Sequence, residues 1–123
     1  NLFVNQICRD VLNTGRININ SNPSLRRDFV PLSYLMRVVQ ALIMENSKFP
    51  VYNVVTGLSM SLLEVAMEVA TCFNKLTGKI AEVDYNNDLI QSVKAKEINN
   101  YRCSSLVKTD RKEFTRAITE LLT

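Results

Sequence analysis

Apolar positions along this chain switch between a helical period and a strand period. Val4, Ile7, Cys8 and Val11 fall at i, i+3, i+4 and i+7, so an amphipathic helix is expected over residues 2–13, closed by Gly15. Ile17 and Ile19 alternate with Asn18 and Asn20, which predicts a short strand running into the polar turn Ser21-Asn22-Pro23-Ser24. Phe29 to Leu32 reads as a second short extended piece. Beyond Pro31, the positions Leu35, Val38, Val39, Leu42 and Ile43 describe another helix face. The β-branched run from Val51 to Val55, ended by Thr56-Gly57, predicts a largely buried strand, too apolar for an open edge, with part of its sheet outside this chain.

The best-marked element follows. Ser61 and Glu64 have the S-x-x-E spacing of a capping box, in which the hydroxyl takes a free first-turn amide and the carboxylate reaches back. Leu63, Ala66, Met67, Ala70, Phe73 and Leu76 supply the apolar stripe, and Gly78 is placed to end the helix. Residues 80–85 alternate as a strand, Lys94 to Arg102 is a weaker helix, and Asp110 with Glu113 forms a second cap pair. That pair opens a last helix with Phe114, Ala117, Ile118 and Leu121 inward. Helices and strands so interleaved predict an α/β fold, residues 1–123 forming a single domain.

Length and composition narrow the field. A chain of 123 residues hides roughly two-thirds of its extended surface on folding, enough for a real core. With 46% apolar and 22% charged residues the composition is that of an ordinary globular domain, and no apolar run approaches the ~18 residues of a membrane span. There is no histidine, which removes imidazole bases, His-containing zinc sites and imidazole pH switches. Three widely spaced cysteines, Cys8, Cys72 and Cys103, without a CxxC pair, are expected to be reduced thiols of a cytoplasmic protein. The first residue is Asn1 rather than Met, as expected of a chain cut from something longer, in which case any targeting signal went with the missing part.

Charge adds little. Fifteen Lys and Arg against twelve Asp and Glu give +3. Seven of the cations lie between Lys94 and Arg116, but only Tyr101 and Phe114 are interleaved for stacking, so a solvated helical face explains them better than a nucleic-acid surface. No catalytic constellation can be assembled, and neither G-x-G-x-x-G nor G-x-x-x-x-G-K-[ST] occurs: Gly15, Gly57 and Gly78 each stand beside an element end. Glu64 and Glu68 share a helix face, as surface charges commonly do. One cluster departs from the ordinary pattern. Arg26-Arg27-Asp28-Phe29-Val30 follows a polar turn and precedes a helix, and the planar, permanently charged guanidinium suits a diphosphate; an Arg–Asp structural pair is the competing explanation.

Taken with what comes after it, this cluster resembles the extended short-chain dehydrogenase/reductase family, the NAD-dependent sugar-nucleotide epimerases and dehydratases. Arg27-Asp28-Phe29-Val30, then Val51-Tyr52-Asn53-Val54, then Ser61-Leu62-Leu63-Glu64-Val65-Ala66 are similar in order and spacing to the family's "RDFV/RDYI" segment, "vYNvg.g" strand and "sl.ela" helix. Asn1-Leu2, the stretch Gly15-Arg16-Ile17-Asn18-Ile19 and Asn87-Asp88-Leu89 also match the family's second half. The resemblance thus covers nearly the whole chain. It implies the C-terminal, substrate-binding portion of such an enzyme: a small mixed sheet with about five helices, the Rossmann half being absent.

Roles follow from the resemblance position by position. Asn1 and Leu2 would touch the nucleotide, Asn18 and Asn20 would line the base, and Arg27 would hold the diphosphate with Phe29 beside it. Leu62 would add an apolar contact, and Asp88 would approach the sugar-nucleotide. Four positions depart from the family's pattern: Tyr85 stands where an arginine clamp is usual, Ser33 and Tyr34 where two acids are, and Val55 where a glycine is. The family's glycine-rich NAD turn and Tyr-x-x-x-Lys pair all precede the matched region. The chain is therefore expected to bind a nucleotide-diphosphate sugar without being active or binding NAD by itself; NAD or NADP, and a homodimeric state, would belong to a full-length parent. No metal, nucleic-acid or membrane partner is expected. Two other readings stay open, a non-enzymatic interaction module of the same architecture and a small basic nucleic-acid-binding domain.

Overall fold

The computed structural model describes residues 2–44, 53–87 and 107–123. Along these residues run α1 (Leu2–Thr14), β1 (Arg16–Ile19), β2 (Arg26–Asp28), α2 (Leu32–Met44), β3 (Ser59–Ser61), α3 (Leu62–Thr77), β4 (Glu82–Tyr85) and α4 (Arg111–Leu122). The helix expected over Lys94–Arg102 lies outside the described residues.

α1 buries the face its spacing predicts: Val4, Ile7, Cys8 and Val11. It ends at Gly15, whose φ of 71° favours a residue without Cβ, and whose N–H donates to the Val11 carbonyl at 2.9 Å. The chain then enters β1, where Ile17 and Ile19 point inward and Arg16 outward. β1 pairs in parallel with β4, Ile17 opposite Val83 and Ile19 opposite Tyr85. β2 pairs antiparallel with β3, Arg27 opposite Met60. The small mixed sheet expected from the sequence is thus two separate two-stranded sheets among the described residues.

Two strand expectations need correction. The extended piece placed at Phe29–Leu32 is shifted back to Arg26–Asp28, and Leu32 already opens α2. Pro31 explains the shift: it has no N–H for a ladder but tolerates the start of a helix, and its carbonyl accepts from Leu35 N–H at 3.1 Å. The strand expected over Val51–Val55 is not formed at 53–55; Val51 and Tyr52 lie outside the described residues. Val54 and Val55 find cover without a ladder. Val54 packs with Val30, Leu42 and Val107 around Tyr34 and Val38, and the single proton of the Tyr34 hydroxyl is shared between the Val55 and Val107 carbonyls, at 3.4 and 3.3 Å.

The capping box at the head of α3 is complete. Ser61 Oγ accepts from Glu64 N–H at 3.0 Å, and a Glu64 carboxylate oxygen accepts from Ser61 N–H at 3.4 Å. Gly78, at φ 73°, closes the helix by donating to Asn74 O at 2.8 Å. At α4 only half of the expected pair forms. Asp110 accepts from Lys112 and Glu113 N–H, while the Glu113 carboxylate turns away to other partners.

The main core gathers α1, α3, α4 and β1. Val11, Ile17, Val65, Val69 and Ile118 are fully enclosed there, and Phe29 packs between Phe3 and Phe114 at centroid separations of 6.4 and 6.0 Å. α2 turns Tyr34 and Val38 to the smaller cluster and leaves Leu32, Met36, Val39 and Ile43 exposed.

Candidate functional site

The Arg26-Arg27-Asp28 triplet is β2 itself, so its side chains alternate across the strand. Arg26 and Asp28 share one face and are both engaged. The Arg26 guanidinium meets Glu64 at 3.2 Å and donates to the Ser59 hydroxyl and carbonyl at 3.2 and 2.8 Å. The Asp28 carboxylate accepts from Thr56 N–H at 2.9 Å, Thr56 Oγ1 at 2.8 Å and Gly57 N–H at 2.7 Å. The competing explanation raised by the sequence, an arginine locked on its neighbouring acid, is therefore not what the strand does: Asp28 is committed to the 56–57 turn. Arg27 is left on the opposite side, exposed, with no hydrogen bond or ion pair among the described residues.

A second feature lies where β1 and β4 end. Two parallel strands finish together at Ile19 and Tyr85, and beyond them opens a shallow hollow of about 530 Å³. Asn18, Asn20, Asp84, Tyr85, Asn86 and Asn87 line it, with Ile19 at its base. On the other side of Asn18–Asn20 a second hollow of about 460 Å³ is walled by the start of α1, including Leu2, Phe3 and Gln6. The carboxyl ends of parallel strands are where open α/β folds take ligands, because side chains and loops diverge there and leave backbone and polar groups facing a crevice.

The structure thus brings Leu2, Asn18 and Asn20 together. Arg27 sits in the other sheet and lines neither hollow. Phe29 and Leu62 are 3% and 4% exposed, in the core, where they have almost no side-chain surface to offer a ligand. Both belong to the main core: the ring of Phe29 packs against Phe3 and Phe114, and Leu62, the first residue of α3, joins the same cluster. Asn1 and Asp88 lie outside the described residues. Sequence reasoning gave no role to Asp84 or Asn86. Only the parallel register, which sets Asp84 beside Asn18, carries them to the hollow.

The other polar cluster is structural. Glu113 accepts from Ser33 Oγ at 2.7 Å, from Thr109 Oγ1 at 2.5 Å and from the Arg37 guanidinium, which also donates to the Lys108 carbonyl. Burial pushes its carboxyl up, but the two hydroxyls and Arg37 outweigh that and hold it below its ordinary value. These bonds tie α2 to α4. Ser33 and Tyr34 serve here as a latch partner and a core residue. Cys8 and Cys72 are buried thiols, Cys8 pushed up to about 11 by burial and by Cys72. The described cations of the basic run, Lys108, Arg111, Lys112 and Arg116, are exposed on one helix and its approach, as a solvated face would be. Among the described residues no group of side chains could hold a metal ion, and no helix is long and apolar enough to cross a membrane.

No protein-family model and no curated protein sequence matches the chain. Solved structures do. The chain is similar over 97% of its length to MoeE5 in complex with UDP-glucuronic acid and NAD, with a TM-score of 0.65 and 21% identity. It is similar over 98% to RMD from Pseudomonas aeruginosa complexed with NADPH, at 0.63 and 16%. It is similar over 97% to TunA, an NAD-dependent NDP-hexosamine 5,6-dehydratase involved in tunicamycin biosynthesis, at 0.62 and 20%. The chain spans 39–41% of these proteins' own length. Its fold is that of a part of NAD(P)-dependent sugar-nucleotide enzymes of the short-chain dehydrogenase/reductase type, the same group that the sequence motifs resemble.

Proposed function

We propose that this chain is the C-terminal, nucleotide-sugar-binding portion of an NAD(P)-dependent sugar-nucleotide epimerase or dehydratase. The observation that carries the proposal is the polar hollow at the carboxyl ends of β1 and β4, in a chain whose fold coincides with two-fifths of such enzymes. Leu2, Asn18 and Asn20 would contact the nucleoside, Arg27 the diphosphate, and Asn1 and Asp88 complete the set. The three glycines stand at element ends and form no dinucleotide turn, so these residues do not suit NAD(P), and the redox chemistry is assigned to a separate Rossmann portion. What this chain contributes is positioning. Holding the nucleotide end fixes the sugar carbon against a reacting centre, and binding energy so used accelerates chemistry that takes place elsewhere. A cytoplasmic setting fits the reduced thiols.

Calorimetry with UDP-glucuronic acid and other nucleotide sugars tests this. The nucleotide sugar is expected to bind and NAD is not, and Arg27→Ala in the full-length protein should weaken nucleotide-sugar binding by about 1.5–3 kcal/mol through lost charged hydrogen bonds. No binding of any nucleotide sugar, or turnover of one by the 123-residue chain alone, would overturn the assignment. Undiminished binding by the Arg27 variant would remove that residue from the site.

A further inference from the structure

Helix α2 is apolar on two sides. Tyr34 and Val38, with Leu42 beside them, fill the smaller cluster. Leu32, Met36, Val39 and Ile43 run along the opposite side and are open to solvent, Leu32 at 70% and Ile43 at 80% exposure. With Met44, α2 leaves five large apolar side chains uncovered, where α1 and α3 leave two each. A helix apolar nearly all round is one that a further body covers. The open row is spaced 4-3-4, as in a coiled-coil seam. Such a row keeps to one line along the helix and fits a second row of the same spacing, knob into hole. Charge does not oppose a copy of itself either. Arg37 is the only charged residue in Leu32–Met44, and its guanidinium is held at the edge by Glu113 of α4 and the Lys108 carbonyl.

We propose that two copies of this chain pair through α2, antiparallel about a two-fold axis between Met36 and Val39. In that register Leu32 meets the partner's Ile43 and Met36 meets the partner's Val39, so the same row covers itself and the helix dipoles oppose. The row is 13 residues of helix, about 20 Å long. Its closure hides on the order of 500 Å² per copy and about 1,000 Å² in all, the size at which specific interfaces begin. A reversible dimer with a micromolar dissociation constant is therefore expected rather than a permanent one. The resemblance places a homodimer in a full-length parent; α2 gives the present chain a pairing surface of its own. The pairing is independent of the nucleotide-sugar reading and uses none of the residues assigned to it.

The test is sedimentation equilibrium of the 123-residue chain from about 1 to 300 µM, the range that brackets a weak interface. The parent should pass from monomer to dimer mass and stop there. Met36→Lys and Val39→Glu, each alone, should raise the dimer dissociation constant by about thirtyfold or more, because each buries an unpaired charge twice. Mixed with one another, the two variants should regain a dimer, since the antiparallel register sets the introduced lysine against the introduced glutamate. Met67→Lys, on the exposed side of α3, is the control and should dimerise like the parent. Both seam positions are exposed in the single chain, so the urea midpoints of the variants should stay close to that of the parent. A parent that remains monomeric, or that grows past the dimer without a plateau, overturns the pairing. So does a dimer that survives both single variants, or one that the mixture fails to restore. In a longer parent, the two substitutions destabilising the monomer while leaving its dimer intact would assign the face to the rest of that parent and overturn the pairing as well.

Discussion

Replacing Asp28 by alanine should destabilise the protein strongly, while replacing its neighbour Arg27 should leave stability almost unchanged. Asp28 accepts three hydrogen bonds at 2.7–2.9 Å, two from the backbone of the 56–57 turn and one from the Thr56 hydroxyl. A hydrogen bond to a charged group contributes about 1.5–3 kcal/mol when its partner is left unsatisfied. The three share one carboxylate and the Gly57 amide reaches water, so they do not add, and a loss of about 2–4 kcal/mol is expected. Asp28→Asn keeps an acceptor for the Thr56 pair but turns either a donor or nothing toward Gly57, and should fall between the two. Arg27, exposed and without a partner among the described residues, should change stability by less than about 0.5 kcal/mol on replacement by alanine. Arg26→Ala should cost about 0.5–1.5 kcal/mol, because the Glu64 pair is a third exposed and screened. Urea unfolding followed by far-UV circular dichroism reads all four variants on one scale. An Asp28→Ala midpoint equal to that of the parent, or an Arg27→Ala loss as large as that of Asp28→Ala, would refute the division of labour along β2.

Other expectations follow from single sites. The lowered carboxyl of Glu113 stabilises the folded state at neutral pH, and this contribution is lost as pH falls below the usual carboxylate range; Glu113→Gln should therefore lower the urea midpoint at pH 7 and flatten its decline on acidification, with exposed Glu120→Gln as the control. Gly78→Ala should cost about 1 kcal/mol from the positive φ alone, since a Cβ there meets open space, and Gly78→Asn should cost less. Cys8, buried and with its thiol pushed up to about 11, should react with a thiol reagent at pH 8 only as fast as the fold opens, which mass spectrometry of the labelled peptide can follow against denaturant.

Helices were the legible part of this chain, and the reason is local. A 3.6-residue period, a Ser61–Glu64 box and a glycine at each end are fixed within one or two turns of backbone, so α1 and α3 lie where the spacing puts them. Strands were less legible because a ladder is decided by its partner. β3 consists of Ser59, Met60 and Ser61, without a strand-like pattern, and exists because β2 lies beside it; the apolar run through Val55 has the pattern, but its described end packs against α2 instead of pairing. The same holds for chemistry. Sequence marked Arg26, Arg27 and Asp28 as one cluster, and the alternation of β2 divided them into two structural residues and one exposed cation. Sequence named Asn18 and Asn20, but only the parallel alignment of β1 with a strand 66 residues later set Asp84 beside Asn18. Short-range order is written in residue spacing; which side chains share a crevice depends on long-range register, which spacing does not encode.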